Sequence, residues 1–169
     1  MALSVELYNV ASWSRQLASL TRAGLGALLL GMVALNVANA LGRYLLGQAI
    51  EGSDELMVFG MAWLVFLGMP LVAFEGRHLC FSWLQQKLPT RYASLLSAVL
   101  NLYMAALCGW IAIQSSVFIE RVTLIGQKSM AAGIPMVIPH AALLFGLVAT
   151  ALVCAAQGCY LVIQCLSDD

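Results

Sequence analysis

Charge is what this sequence has least of. Asp, Glu, Lys and Arg make up 9% of its 169 residues, where a water-soluble domain carries about 25%. So few charges do not cover a globule in water, which excludes a compact soluble fold. The 62% of hydrophobic residues excludes a disordered chain as well. Eight Lys and Arg balance eight Asp and Glu, leaving no basic surface for nucleic acid. Histidine is scarce: His78 and His140 are the only two. They flank apolar runs on opposite sides of a bilayer, roughly 30 Å apart, too far to share a haem or a metal ion. Cys-x-x-Cys pairs are missing. Cys80, Cys108, Cys154, Cys159 and Cys165 read as small apolar packing residues, not as a thiol-oxidising relay. Glycine-rich phosphate loops and Ser/His/Asp nucleophile arrangements are also absent. The chain is expected to be no enzyme and to hold no cofactor or metal of its own.

What is there is apolar sequence in long uninterrupted runs. No Asp, Glu, Lys or Arg occurs in Ala23–Gly42, Leu56–Phe74, Tyr92–Ile119 or Ser129–Ser167. A spanning helix needs about 20 such residues. The runs predict an all-α integral membrane protein, one domain of four transmembrane helices at about 21–42, 56–75, 92–118 and 139–165. Pro135 and Pro139 cluster at the start of the last run, where prolines suit a helix entry. Ser129–Ile138 then reads as a re-entrant or interfacial lead-in. Orientation follows from the Lys/Arg bias. Arg15, Arg22, Arg77, Lys87 and Arg91 fall on one side, against Arg43, Arg121 and Lys128 on the other. Both termini are expected in the cytoplasm.

Two further segments are amphipathic. Leu79, Trp83, Leu84 and Leu88 recur at helical spacing within His78–Pro89, too short to span, which predicts an interfacial helix over about 78–89. Leu3, Leu7, Val10, Ser14 and Leu17 suggest a similar in-plane helix before the first span; a loose polar tail is the other reading. Met1–Leu20 lacks the pattern of a cleaved signal. Within the spans, Ala27, Gly31, Ala34, Ala38 and Gly42 form a small-residue stripe that admits close helix approach. Gly60 and Gly68 share a face of the second helix, and Gly109 sits with Ala105 on the third. Asn36 and Asn39 share a face of the first and need hydrogen-bonding partners. Internal packing accounts for these features, and so does docking to a larger membrane partner. No charged residue lies deep in a span, although proton relays and ion pathways usually have one. The pattern therefore points to a partner subunit.

Several residues, in order, carry a resemblance. They are Arg43-Tyr44 ending the first helix, Asp54-Glu55 opening the second, then Trp63, Phe66 and Gly68. His78 and Leu88-Pro89 follow, and Ser129, Ile134-Pro135 and Ile138-Pro139 lead into the fourth helix. In these the chain resembles the DctQ family, the small membrane subunit of tripartite ATP-independent periplasmic (TRAP) transporters, from about Asn39 to Leu147. It departs from the family in having Cys80, Phe81 and Ser82 where an aspartate often follows the histidine. Gly52 and Ser53 stand where an aromatic residue often precedes the acidic pair.

The resemblance implies an accessory scaffold subunit in a bacterial inner membrane. Its implied partners are a large TRAP membrane subunit, a periplasmic solute-binding protein and the surrounding lipids. The large subunit would hold the sodium and organic-acid-like solute sites. Arg43, Tyr44, Asp54, Glu55, Trp63, His78 and Trp83 are the expected partner contacts. Gly31, Asn36, Asn39, Gly60, Gly68 and Gly109 are the expected helix-packing residues. For Asp54-Glu55 the competing reading is a helix cap with a local ion pair to Arg43. A stand-alone four-helix protein, either a redox or haem carrier or an assembly factor, is the alternative to a transporter subunit.

Overall fold

A computed structural model of the chain describes residues 2–75 and 89–167. They form four helices: α1 (Ala2–Leu45), α2 (Ser53–Phe74), α3 (Thr90–Ile125) and α4 (Val137–Ser167). Each contains a stretch long and apolar enough to cross a membrane. The chain is an all-α multi-pass membrane protein. The expected interfacial helix over 78–89 falls almost wholly outside the described residues.

Three sequence expectations change. First, α1 has no break between the N-terminal segment and the first span. It is one helix of 44 residues, about 66 Å long against a hydrocarbon core of about 30 Å. No glycine or proline occurs before Gly24 to stop it. Second, α3 runs on past residue 118, through Glu120 and Arg121, because charged residues end a hydrocarbon span without ending a helix. Its stop is Gly126, left-handed at φ 66°. The Gly126 N–H donates to Thr123 O at 3.1 Å and the Gln127 N–H to Val122 O at 3.3 Å, the paired bonds of a glycine-terminated helix. Third, the Ser129–Ile138 lead-in divides: residues 129–136 belong to a tight loop closed by Met136 N–H to Gln127 O, 3.0 Å, and Ser129 N–H to Ile134 O, 2.8 Å, while Val137 and Ile138 already open α4.

The helices pack in the order α1–α2–α4–α3, with α1 touching only α2 and α3 touching only α4 among the described helices. α2 and α4 run parallel, while the two outer pairs are antiparallel hairpins. α4 is the centre: 28% of its most apolar window is buried, against 6% for α1 and for α2. Its buried seam is Ala142, Gly146, Thr150, Cys154 and Gly158, all small and four residues apart. A four-residue repeat drifts around a 3.6-residue helix, so this ridge meets α2 at its start and α3 at its end. A Cβ at Gly146 meets the Phe66 backbone of α2, and one at Gly158 comes within 2.9 Å of Leu102 of α3. Ala27, Gly31, Ala34 and Ala38 of the small-residue stripe that sequence reading placed on α1 are turned outward instead, and Gly42 lies against Gln48 O of the following turn. α1 meets α2 through Ala18, Thr21, Leu25, Leu28, Met32, Leu35 and Asn39, the less exposed positions of its span.

Polar contacts fasten the end of α2 that lies on the side of the chain termini. Arg22 pairs with Glu75 at 3.3 Å. Gln157 of α4 donates its Nε2 to Ala73 O at 3.0 Å and Phe74 O at 3.2 Å, meeting carbonyls of the last turn of α2, where intrahelical donors run out. Gln157→Leu should lower thermal stability in detergent by about 1 kcal/mol, the scale of interhelical hydrogen bonds in membranes. An unchanged midpoint would show that lipid or water replaces this cap.

Candidate functional site

On the side away from the termini, the turn between α1 and α2 meets the loop between α3 and α4. Gly52, at φ 76°, precedes α2, and Asp54 and Glu55 occupy its first turn, where the helix dipole favours carboxylates. Glu55 is turned across to the α3–α4 loop. Its Oε1 accepts the Met130 and Ala131 N–H groups, each at 3.1 Å, and its Oε2 accepts the Ala132 N–H at 2.8 Å. The Ser129 side chain bonds the same carboxylate, and its hydroxyl accepts the Ile134 N–H at 3.2 Å. Successive backbone donors aimed at one anion form a nest, and here the anion comes from the neighbouring helix. Gly52 permits the approach, since a Cβ there would lie 2.9 Å from Ala132 Cβ.

The other turn is shaped by Asn39, which is 5% exposed. Its Oδ1 accepts the Ile50 N–H at 2.9 Å, while Leu46 and Gln48 donate to Gly42 O. Asn39 is therefore bonded to a turn backbone, not to another helix. Asn36 does reach across, placing its Nδ2 3.3 Å from Met57 Sδ on α2. At the start of α4, His140 Nδ1 hydrogen-bonds Met136 O at 2.6 Å, and its ring lies 4.8 Å from that of Phe118.

The sequence-derived residues thus separate. Glu55 is engaged within the chain. Asp54 beside it is exposed. Arg43 is exposed at the end of α1, and among the described residues it makes no ion pair with the acidic pair. Tyr44 is 85% exposed, and Trp63 is half-buried on α2. Gly60 lies against Met32, with a Cβ 2.9 Å from its sulfur, and Gly68 is in ordinary contact range of Leu25. Among the described residues, nothing from beyond their own helix turns comes within 4 Å of a Cβ position at Gly31 or Gly109. His78 and Trp83 lie outside the described residues. No cluster of potential metal ligands occurs among the described residues.

Sequence reading missed the α3–α4 loop as the partner of Glu55, because backbone N–H groups carry no residue signature. Gly52 and Gly133, left-handed at φ 76° and 66°, were the available signals. Gln157 was missed because one amide in an apolar helix says nothing about where it points.

A family model described as the DctQ component of tripartite ATP-independent periplasmic transporters matches residues 32–163. The match begins within α1, ends within α4 and takes in both halves of the Glu55 contact. No curated protein matches the chain.

Proposed function

Since the chain belongs to the DctQ family, the small membrane component of TRAP transporters, we propose that it braces the large membrane subunit of a sodium-coupled importer of an organic-acid-like solute. It is a transporter component and not an enzyme. A periplasmic binding protein delivers the solute, and the large subunit holds the solute and sodium sites. Both termini lie in the cytoplasm of the bacterial cell, so the Glu55 contact faces the periplasm.

The observation that carries this reading is the family match over most of the four-helix span. The architecture agrees with a bracing role. The helices stand in an open row, and Gly31 of α1 and Gly109 of α3 leave space for another backbone. In a membrane such space is filled by lipid or by partner helices packed on small residues.

The test is co-purification in mild detergent from the native locus, followed by uptake in liposomes. A large polytopic membrane protein should accompany the tagged chain in fixed ratio. Sodium-dependent uptake should need this chain, the large subunit and the binding protein together. A clean homo-oligomer, or uptake indifferent to this chain, would overturn the reading.

A further inference from the structure

One side-chain amide inside the spans differs from the rest. Asn36, Asn39, Asn101, Gln157 and Gln164 each hydrogen-bond to another group of the chain, and Gln16 only opens the first span. Gln114 of α3 is exposed, and among the described residues its side chain makes no hydrogen bond. It lies well inside the third span, Tyr92–Ile125. Glu120, the nearest charged residue in the sequence, is about 9 Å farther along the axis. Side chains on a helix lean toward its N-terminus, here toward the middle of the span, so Gln114 leans away from the nearer surface. An amide among lipid tails leaves its donors and acceptor unmet, a cost that membrane helices relieve by hydrogen-bonding to one another.

Gln114 stands on the side of α3 turned away from this chain. Cys108, Ala112, Ser115 and Val122 are buried, on the side toward α4. Val99, Tyr103, Trp110 and Val117, between 40% and 64% exposed, share the opposite face with Gln114 at the helical period. Neither α1 nor α2 touches α3. Trp110, one turn deeper than Gln114, brings an indole N–H to the same face, although tryptophan favours the wet edges of a membrane. Among the described residues that donor has no partner either.

We infer that this face of α3 joins two copies of the chain, with Gln114 against Gln114 across a twofold axis. Copies inserted with the same topology are related by an axis along the membrane normal, so equal residues stand at equal depth. The group sure to lie level with Gln114 is therefore the same amide, which both donates and accepts. Any other helix would have to bring a polar residue to that depth from its own sequence. The pairing leaves the rest of α3 available. Gly109 lies about 140° around the helix from Gln114, so the space proposed above for the large subunit is not used. The inference goes beyond the proposed function and needs the spans alone, neither the transport role nor the orientation.

The experiment is capture between two differently tagged full-length copies, co-expressed with the native transporter genes and extracted in mild detergent. Wild type, Gln114→Leu and Gln114→Asn are compared. One wild-type tag should recover the other. Gln114→Leu should recover about tenfold less, the effect of one interhelical hydrogen-bonded pair. Gln114→Asn keeps the amide and should recover most of it. The thermal midpoint of Gln114→Leu should match or exceed wild type, because leucine suits an outward helix position, so the lost pairing is not lost folding. Equal recovery from Gln114→Leu and wild type would overturn the inference, as would wild type that recovers no second tag. Loss of the large subunit from Gln114→Leu with the second tag retained would also overturn it and assign the amide to that subunit. Absence of the large subunit from wild type defeats the proposed function alone, and the two tags still decide this inference.

Discussion

Valine at position 146 will drive α2 away from α4. Gly146 lies at the closest approach of the two helices, and the atoms a Cβ would meet are the Phe66 carbonyl group and Cβ. Backbone does not swing aside as a long side chain does. Pro70 sits inside α2 and has no N–H, so the carbonyl four residues earlier, that of Phe66, lacks its usual helical donor. Such carbonyls are tolerated in membranes where a neighbouring helix comes close, and only glycine lets α4 do so here. Gly146→Val should cost about 3 kcal/mol, the upper part of the range for overpacking. The thermal midpoint in detergent should fall by roughly 10 °C for a chain of this size. The comparison variants are Gly60→Ala and Gly31→Ala. The first meets only the flexible end of Met32, and the second meets nothing. Both should leave the isolated chain at least as stable as wild type, and Gly31→Ala gains up to about 1 kcal/mol of helix propensity. A midpoint for Gly146→Val equal to theirs would show that α2 and α4 do not meet this way. Loss of the large subunit from Gly31→Ala, with stability intact, would mark the outward face of α1 as a partner contact.

Gly52→Val should have the next largest effect, and its damage should be local. Two costs coincide at this position. A φ of 76° is unfavourable for any residue with a Cβ by roughly 1–2 kcal/mol, and β-branching makes it worse. The Cβ would also lie 2.9 Å from Ala132 Cβ and 3.1 Å from Ala132 Cα, pushing the α3–α4 loop off Glu55. The total should reach about 3 kcal/mol. Gly47→Ala separates the two costs. Gly47 has φ 67° with open space around it, so that variant carries only the conformational one. Amide exchange at Met130–Ala132 should rise in Gly52→Val and stay unchanged in Gly47→Ala. Equal exchange in both would show that the contact with Ala132 does not hold the loop.

These two glycines show why part of the molecule was illegible in the sequence. A membrane helix announces itself by composition alone, since about 20 apolar residues without charge have few other places to be. Which of its faces packs does not show in composition, because lipid and protein are equally apolar. The α1 stripe of Ala27, Gly31, Ala34 and Ala38 and the α4 seam of Ala142, Gly146, Thr150, Cys154 and Gly158 both repeat small residues three or four apart. Only the second is buried within the chain. The acidic pair shows the same limit. Asp54 and Glu55 were recognisable as the opening of α2, but the bond to the loop 75 or more residues later goes to backbone amides that any sequence would supply.

The sequence by itself determined the solvent, the number of crossing helices, the class of protein and the lack of charge within the spans. Each follows from summed hydropathy and from where the charges fall, quantities that need no neighbours. The tertiary structure decided that α4 and not α1 is the packing centre, that α1 is one unbroken helix, and that Glu55 clasps a loop. Those outcomes depend on which surfaces meet in three dimensions. Close approach selects among helix faces that hydropathy makes equivalent, and a carboxylate takes whichever amides the fold brings to it.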